Sequence, residues 1–158
     1  RPFDTLAKLD LAIDGADEID PRLRAIKGKG GAMLREKIVA VAAERMIVVV
    51  DDSKLVTRLG RGFVPLEVLP FAVGFVADRV SRLGATVSLR VAGQARYRTE
   101  QDNLVLDCGF GEIEDWPGLA AALSAIPGLL GHGLFLDEID VAYVGRNDGV
   151  DLLVRGVS

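Results

Sequence analysis

Apolar and polar residues alternate along Leu9 to Asp14 (LDLAID), which places Leu9, Leu11 and Ile13 on one face of a short strand that runs into acidic residues. After Gly31 the rhythm changes. Leu34, Ile38, Val41, Ala42 and Arg45 recur at roughly 100° per residue, and the first four form an apolar stripe. This predicts a helix over 31–46 with Glu36 turned away from the stripe, toward solvent or a cleft. Met46 to Val50 (MIVVV) is unbroken apolar sequence, the kind buried on both faces of a parallel sheet. It ends in Asp51, Asp52, Ser53 and Lys54. Strand, loop, helix and strand make a βαβ unit whose polar groups gather at the strand C-termini, where open α/β sheets hold their ligands.

From Phe63 a second pattern begins. The spacing predicts a strand over 64–70, a helix over 71–83 through Val73, Val76, Val80 and Leu83, and a strand over 86–91. A polar stretch follows with Gly93, Tyr97 and a turn at Gln101-Asp102-Asn103. Next come a strand over 104–108, a helix over 116–126 opened by Pro117 and closed by Pro127-Gly128, and an extended segment over 129–136. The order β-α-β-β-α-β is the split βαβ or ferredoxin-like pattern. Two short strands, 140–144 and 149–154, flank an Asn147-Asp148-Gly149 turn and are expected to rejoin the first sheet.

A chain of 158 residues with 49% hydrophobic content can build a core for one domain or two small ones. Its net charge of −4, with no basic stripe, argues against a nucleic-acid partner. No apolar run is long enough to span a bilayer, and no signal-peptide pattern opens the sequence. Cys108 is the single cysteine, so no internal disulfide can form and a reducing cytoplasm is the expected compartment. The first residue is Arg1 rather than Met, as in a fragment or a processed product.

Two clusters carry candidate chemistry. Asp14, Asp17, Glu18 and Asp20 make an acidic turn. Paired carboxylates there can exchange protons if their surroundings separate their pKa values; a divalent cation or plain solvation of the loop would suit the same residues, although the EF-hand pattern is missing. Lys27-Gly28-Lys29-Gly30-Gly31 offers unobstructed amides and two cations at a helix N-terminus, which attracts anions. It lacks the Gly-Lys-Ser/Thr ending of a Walker A loop, and Met33 stands where a dinucleotide fingerprint needs its last glycine. A flexible turn is the plain alternative. Glu36 and Lys54 would each pass for ordinary surface residues but for their placement, one just past the loop and the other at the next strand end. His132, the single histidine, has no metal-type ligand near it in sequence and reads as structural, as Cys108 reads as a small core residue. Together the acidic turn, the cationic loop and Glu36 suit proton movement on an anionic small molecule.

These residues resemble the type A ribose-5-phosphate isomerase family. The resemblance rests on Asp14-Gly15-Ala16-Asp17-Glu18, Lys27-Gly-x-Gly-Gly-Ala32, Leu34-Arg35-Glu36-Lys37-Ile38 and Asp52-Ser53-Lys54. Pro65-Leu66-Glu67-Val68, Ala125-Ile126-Pro127-Gly128 and Gly133-Leu134-Phe135 extend it, so that it runs from about Leu11 to the C-terminus. It implies an α/β fold in which a partial Rossmann-like parallel-sheet domain (1–63 and 134–158) carries an inserted ferredoxin-like α+β domain (64–133). The implied activity interconverts D-ribose 5-phosphate and D-ribulose 5-phosphate in the non-oxidative pentose phosphate pathway, with no metal or organic cofactor, in a homodimer or larger assembly. By the same resemblance Glu36 is the catalytic base that carries a proton between C2 and C1. Asp14 and Asp17 are catalytic carboxylates of the substrate turn, with Gly15 and Ala16 between them. Lys27 stabilises negative charge on oxygen, Gly28, Lys29 and Gly30 complete the binding loop, and Lys54 is a further substrate-binding lysine. Lys29 departs from the glycine found in many relatives. The family's segment before the acidic turn, with a first strand and a Thr-Gly-Ser-Thr loop, is not in this sequence, so the chain alone is expected to be weakly active or inactive. The rivals are a non-catalytic sugar-phosphate-binding domain and an amino-sugar phosphate deaminase; the presence of Glu36 with Asp14 and Asp17, and the remoteness of His132, speak for the isomerase.

Overall fold

The computed structural model describes residues 2–156. Its strands and helices, in chain order, are β1 (Ala12–Asp14), β2 (Glu18–Ile19), β3 (Ala25–Ile26), α1 (Met33–Ala42), β4 (Met46–Asp51), β5 (Val64–Val68), α2 (Val73–Ser81), β6 (Thr86–Leu89), β7 (Val91–Ala92), β8 (Ala95–Arg96), β9 (Leu104–Gly109), α3 (Trp116–Ser124), β10 (Leu129–His132), β11 (Leu134–Phe135), β12 (Val141–Arg146) and β13 (Gly149–Val154). One sheet runs β1-β4-β12-β13; its first three strands are parallel, and β13 returns antiparallel after the expected turn. The second runs β10-β5-β9-β6, antiparallel throughout. With α2 and α3 it forms the ferredoxin-like unit. A small sheet, β11-β3-β2, lies between them in the chain's path.

The parallel sheet has one buried face. Ala12, Met46, Val48, Val50, Ala142 and Val144 pack with Ile19, Leu23, Ala25, Phe135 and Ile139. On the opposite face Leu11, Ile13, Val49, Tyr143, Val150 and Leu152 are exposed. Met46 to Val50, expected to be covered on both sides, is covered on one among the described residues, with Val49 53% exposed. The strand predicted over 9–14 is also shorter, since Leu9 makes only an isolated bridge to Ala43.

The larger correction concerns α1. The stripe predicted to be buried is the outer one: Ile38 is 47% exposed and Val41 69%. Met33 and Ala40 are buried, and Glu36 and Lys37 lie on the same inward line at helical i, i+3, i+4, i+7 spacing. Glu36 does point away from the apolar stripe, and it faces the Lys27 ammonium.

In the ferredoxin-like unit the apolar positions of β5, α2, β9 and α3 converge as predicted. Val64, Leu66, Val68, Val76, Val80, Leu106, Cys108, Trp116, Leu119 and Leu123 form its core, joined by Ile26, Leu134 and Leu136 from outside. Asp115 caps α3 by accepting the Gly118 N–H at 2.9 Å. Burial pushes the Cys108 thiol up to about 12, as expected of an inert core residue. The strand predicted over 86–91 stops at Leu89, and Val91–Ala92 pairs with Ala95–Arg96 in a separate hairpin.

The extended segment predicted over 129–136 is two strands that join different sheets: β10 pairs with β5, and β11 with β3. Gly133 makes the crossing. Its N–H donates to the Pro65 carbonyl at 2.8 Å and its carbonyl accepts the Lys27 N–H at 2.9 Å. A Cβ there would stand 2.1 Å from the Lys27 carbonyl oxygen and 2.9 Å from Pro65 Cδ. Backbone on one side leaves no flexible group to give way. G133A should therefore cost about 1–3 kcal/mol, seen as a lowered urea midpoint with an unchanged slope; a midpoint within error of the wild type would show that the crossing has slack.

Candidate active site

β1 and β4 run parallel in adjacent positions, so their C-terminal ends share an edge of the sheet. Asp14 closes β1, and Lys54 ends the 3₁₀ turn that follows β4. The β2–β3 hairpin then brings Lys27 back beneath the acidic turn, and the Gly28–Gly31 loop leads into α1. Lys27 is 3% exposed. Its ammonium donates to Asp14 Oδ2 at 2.9 Å and to the Gly15 carbonyl, and lies 3.3 Å from Glu36 Oε2. It also sits 5.4 Å from the centre of the Phe135 ring. A buried ammonium costs several kcal/mol unless paired and hydrogen-bonded, and these groups supply the pairing.

Glu36 pairs with Lys27 through Oε2, an oxygen shielded from solvent and 3.3 Å from the ammonium. Burial raises its pKa above the usual carboxylate value; Lys27 opposes that rise and the Asp14 charge adds to it. Asp17 accepts the Lys29 N–H at 2.9 Å, fixing the loop's second peptide. Gly28, with φ of +102°, takes a conformation that favours glycine, and its Cβ would stand 2.9 Å from Met33 Cβ. Lys29 and Gly30 are exposed at the loop tip.

The structure thus brings Asp14, Gly15, Lys27 and Glu36 into one contact group, with Ala16 and Asp17 linked to it through the turn and Asp17 bonded to Lys29. Lys54 stands at the same sheet edge without a salt bridge or hydrogen bond to that group among the described residues. The other two acids of the turn have different work. Glu18, 3% exposed, accepts the N–H groups of Gly60 and Gly62 at 2.8 and 2.7 Å. Asp20, 1% exposed, accepts the N–H groups of Arg22 and Arg24 and pairs with the Arg24 guanidinium. Both are buried structural ties, which overturns the reading of the whole turn as a proton-exchanging or solvated cluster. Among the described residues no three His, Cys, Asp or Glu side chains converge as a metal-ion site.

Sequence reasoning missed three neighbours. Phe135 places its ring between Lys27 and Lys37, with Lys37 Nζ 3.9 Å from the ring centre and bonded to Glu138 at 2.6 Å. Arg90 and Tyr97 reach the glycine loop from the ferredoxin-like unit. Nothing local marks any of them, because the contacts join distant parts of the chain. His132 stands apart, in a cleft of about 440 Å³ lined also by Leu34, Lys37, Ser124 and Glu138. It accepts the Leu134 N–H and lies 3.2 Å from Ser124 Oγ; burial and then Lys37 lower its pKa to about 4, so it is neutral near pH 7.

The sequence that builds this site matches a known enzyme family over nearly the whole chain. The profile of ribose 5-phosphate isomerase A (phosphoriboisomerase A) covers residues 1–149. The chain belongs to this family. Ribose-5-phosphate isomerase A of Sphingopyxis alaskensis is 52% identical over 155 residues, which cover 98% of this chain and 68% of that protein. The Roseiflexus sp. protein of the same name is 50% identical, over 94% of this chain and 66% of its own length. Among solved structures, a D-ribose-5-phosphate isomerase in complex with phospho-erythronic acid superposes with a TM-score of 0.92 at 37% identity, over 98% of this chain and 69% of that one. The ribose 5-phosphate isomerase A of Neisseria gonorrhoeae gives 0.91 at 32% identity, over 98% and 68%. The chain spans about two thirds of the length of these relatives, and its α/β fold is theirs.

Glu36 should titrate above 4.5, its ordinary value. In K27M the opposing ammonium is gone, so the Glu36 midpoint should climb further. Side-chain carboxyl NMR across a pH series measures both; a midpoint at or below the ordinary value, or a fall in K27M, would contradict the electrostatics given above.

Proposed function

We propose that this chain carries the catalytic centre of an isomerase acting on D-ribose 5-phosphate and D-ribulose 5-phosphate, with residues 1–63 and 134–158 as the catalytic unit and 64–133 inserted. The observation that carries this reading is Glu36: a shielded carboxylate of raised pKa whose Oε2 lies 3.3 Å from a buried ammonium. Removing a carbon-bound proton needs a base and positive charge beside the oxygen that gains electrons. Glu36 takes the proton from C2 of the open-chain aldose, and the C–H electrons form the enediolate. The same carboxyl returns the proton to C1, giving the ketose. Lys27 holds the developing oxyanion, and Asp14, bonded to Lys27, assists ring opening and proton exchange on the sugar oxygens. Asp17, Gly15 and Ala16 shape the turn around the substrate. The loop of Gly28, Lys29 and Gly30 meets the anionic end, and Lys54 approaches from the neighbouring strand end.

E36Q keeps the shape of the side chain and removes the base. In the complete protein it should lower kcat by about 10²–10⁴-fold while binding of phospho-erythronic acid, measured by calorimetry, stays within a few-fold. Near-normal turnover in E36Q would sink the role of Glu36. Tight binding by the wild type with no turnover and no deuterium uptake from D₂O would favour a sugar-phosphate-binding module instead.

We further propose a cytoplasmic homodimer. The resemblance to the isomerase family, which implies a homodimer or larger assembly, supports this reading. Light scattering at micromolar concentration should give twice the chain mass, and a monomer mass there would rule the dimer out.

A further inference from the structure

Arg90 follows β6 and is 11% exposed at its side chain. Its Nε and Nη2 grip the Asp107 carboxylate of β9, with Nε to Oδ2 at 2.9 Å. Its Nη1 crosses to the glycine loop, donating to the Gly28 carbonyl at 3.1 Å and the Lys29 carbonyl at 2.9 Å. The Tyr97 hydroxyl donates to the next carbonyl, that of Gly30, at 2.9 Å. Three consecutive carbonyls of the loop are therefore held by the ferredoxin-like unit. The clamp is itself braced: the guanidinium carbon lies 5.8 Å from the Phe63 ring centre and 5.5 Å from that of Tyr97, and the Tyr97 N–H donates to the Arg90 carbonyl at 3.0 Å. Past Tyr97, the buried carboxylate of Glu67 accepts from Thr99 Oγ1 at 2.8 Å and Asn103 Nδ2 at 2.9 Å, anchoring the returning segment. Gly31 is required beneath the Tyr97 ring, where a Cβ would come within 2.2 Å of the hydroxyl.

A trans peptide is planar, with its N–H opposed to its C=O. The Gly28 carbonyl faces Arg90, so the Lys29 N–H faces the other way, and it is bonded there to Asp17. By the same geometry the Gly30 N–H is directed away from Arg90. Glycine-rich backbone rotates its peptide planes at little cost, and a rotated plane would offer a carbonyl dipole to an anion. We infer that Arg90 and Tyr97 are positioning residues: by holding the carbonyls of Gly28, Lys29 and Gly30 they fix the loop's peptide planes, so that the Lys29 N–H stays on Asp17 and the Gly30 N–H stays on that same side as a donor for the sugar phosphate, while the Gly31 N–H turns back to the Gly28 carbonyl at 2.9 Å. This rests on the isomerase reading above. It makes the ferredoxin-like unit a working part of the site.

R90K retains the charge but loses the fork, and Y97F loses one hydroxyl under a retained ring. In the complete protein R90K should raise KM for ribose 5-phosphate and the Kd for phospho-erythronic acid about tenfold, with kcat reduced by less. Y97F should do the same to a smaller extent. Amide hydrogen exchange at Lys29 and Gly30 should quicken in both variants, while exchange in β12 and α3 stays at wild-type rates. If both variants keep wild-type KM, Kd and loop exchange, or lose only melting temperature, the clamp is a mere staple between units and the inference fails. If R90K does not fold, Y97F decides alone. A complete wild-type protein that binds phospho-erythronic acid without turnover would refute the isomerase reading, and loop exchange in Y97F would still decide the clamp.

Discussion

A buried ammonium organises this molecule's site. Lys27 reaches its place because β3 hydrogen-bonds to β11 and the Lys27 N–H is held by Gly133. Once there it has shed most of its water, which is tolerable only with anionic and dipolar partners at hydrogen-bonding distance. Asp14 and the Gly15 carbonyl meet that need directly, and Glu36 completes it at longer range. The end of β1, the start of α1 and the ring of Phe135 are thus mutually fixed by a single cation. Shifting any one would leave charge uncompensated in a dry place, an error of several kcal/mol in a protein whose whole stability is of that order.

The inward line of α1 follows from the same constraint. A helix between β1 and β4 would ordinarily bury its apolar stripe. Here the inner line holds Met33, Glu36, Lys37 and Ala40, while Ile38 and Val41 face out. The two inward charges are matched in opposite directions: Glu36 against Lys27, and Lys37 against Glu138, which lies below its ordinary pKa even though burial raises it, because the Lys37 hydrogen bond and charge outweigh that rise. Phe135 separates the two lysines and offers its ring to both. A polar line can face inward because each of its charges meets an opposite one.

Much of this was legible in the sequence where local periodicity and global packing agree. The apolar runs at β4, β5, β9 and α3 are dense enough to identify themselves, and the ferredoxin-like order followed from their spacing. Asp14, Lys27 and Glu36 could be singled out because a glycine loop and a strand end are places where charge has few structural uses. The buried face of α1 was not legible, since periodicity finds the most apolar side of a helix and α1 turns that side outward. Nor was the role of Glu18: an acid that accepts backbone N–H groups from a loop more than forty residues away looks, in sequence, like any acid in a turn. Arg90 and Tyr97 were invisible for the same reason, as their partners are brought near only by the packing of two sheets.

The crossing at Gly133 ties the energetics of the two sheets together. One residue serves as donor to β5 and acceptor from Lys27, and the strands on either side of it belong to different sheets. Ile26, Leu134 and Leu136 also lend their side chains to the ferredoxin-like core. Neither sheet can open without uncovering apolar surface that the other half owns, which is the structural condition for a single cooperative transition. The chain should therefore behave as one folding unit despite its two sheets, and mutations spread through the ferredoxin-like core would change the population in which Glu36 and Lys27 are assembled at all.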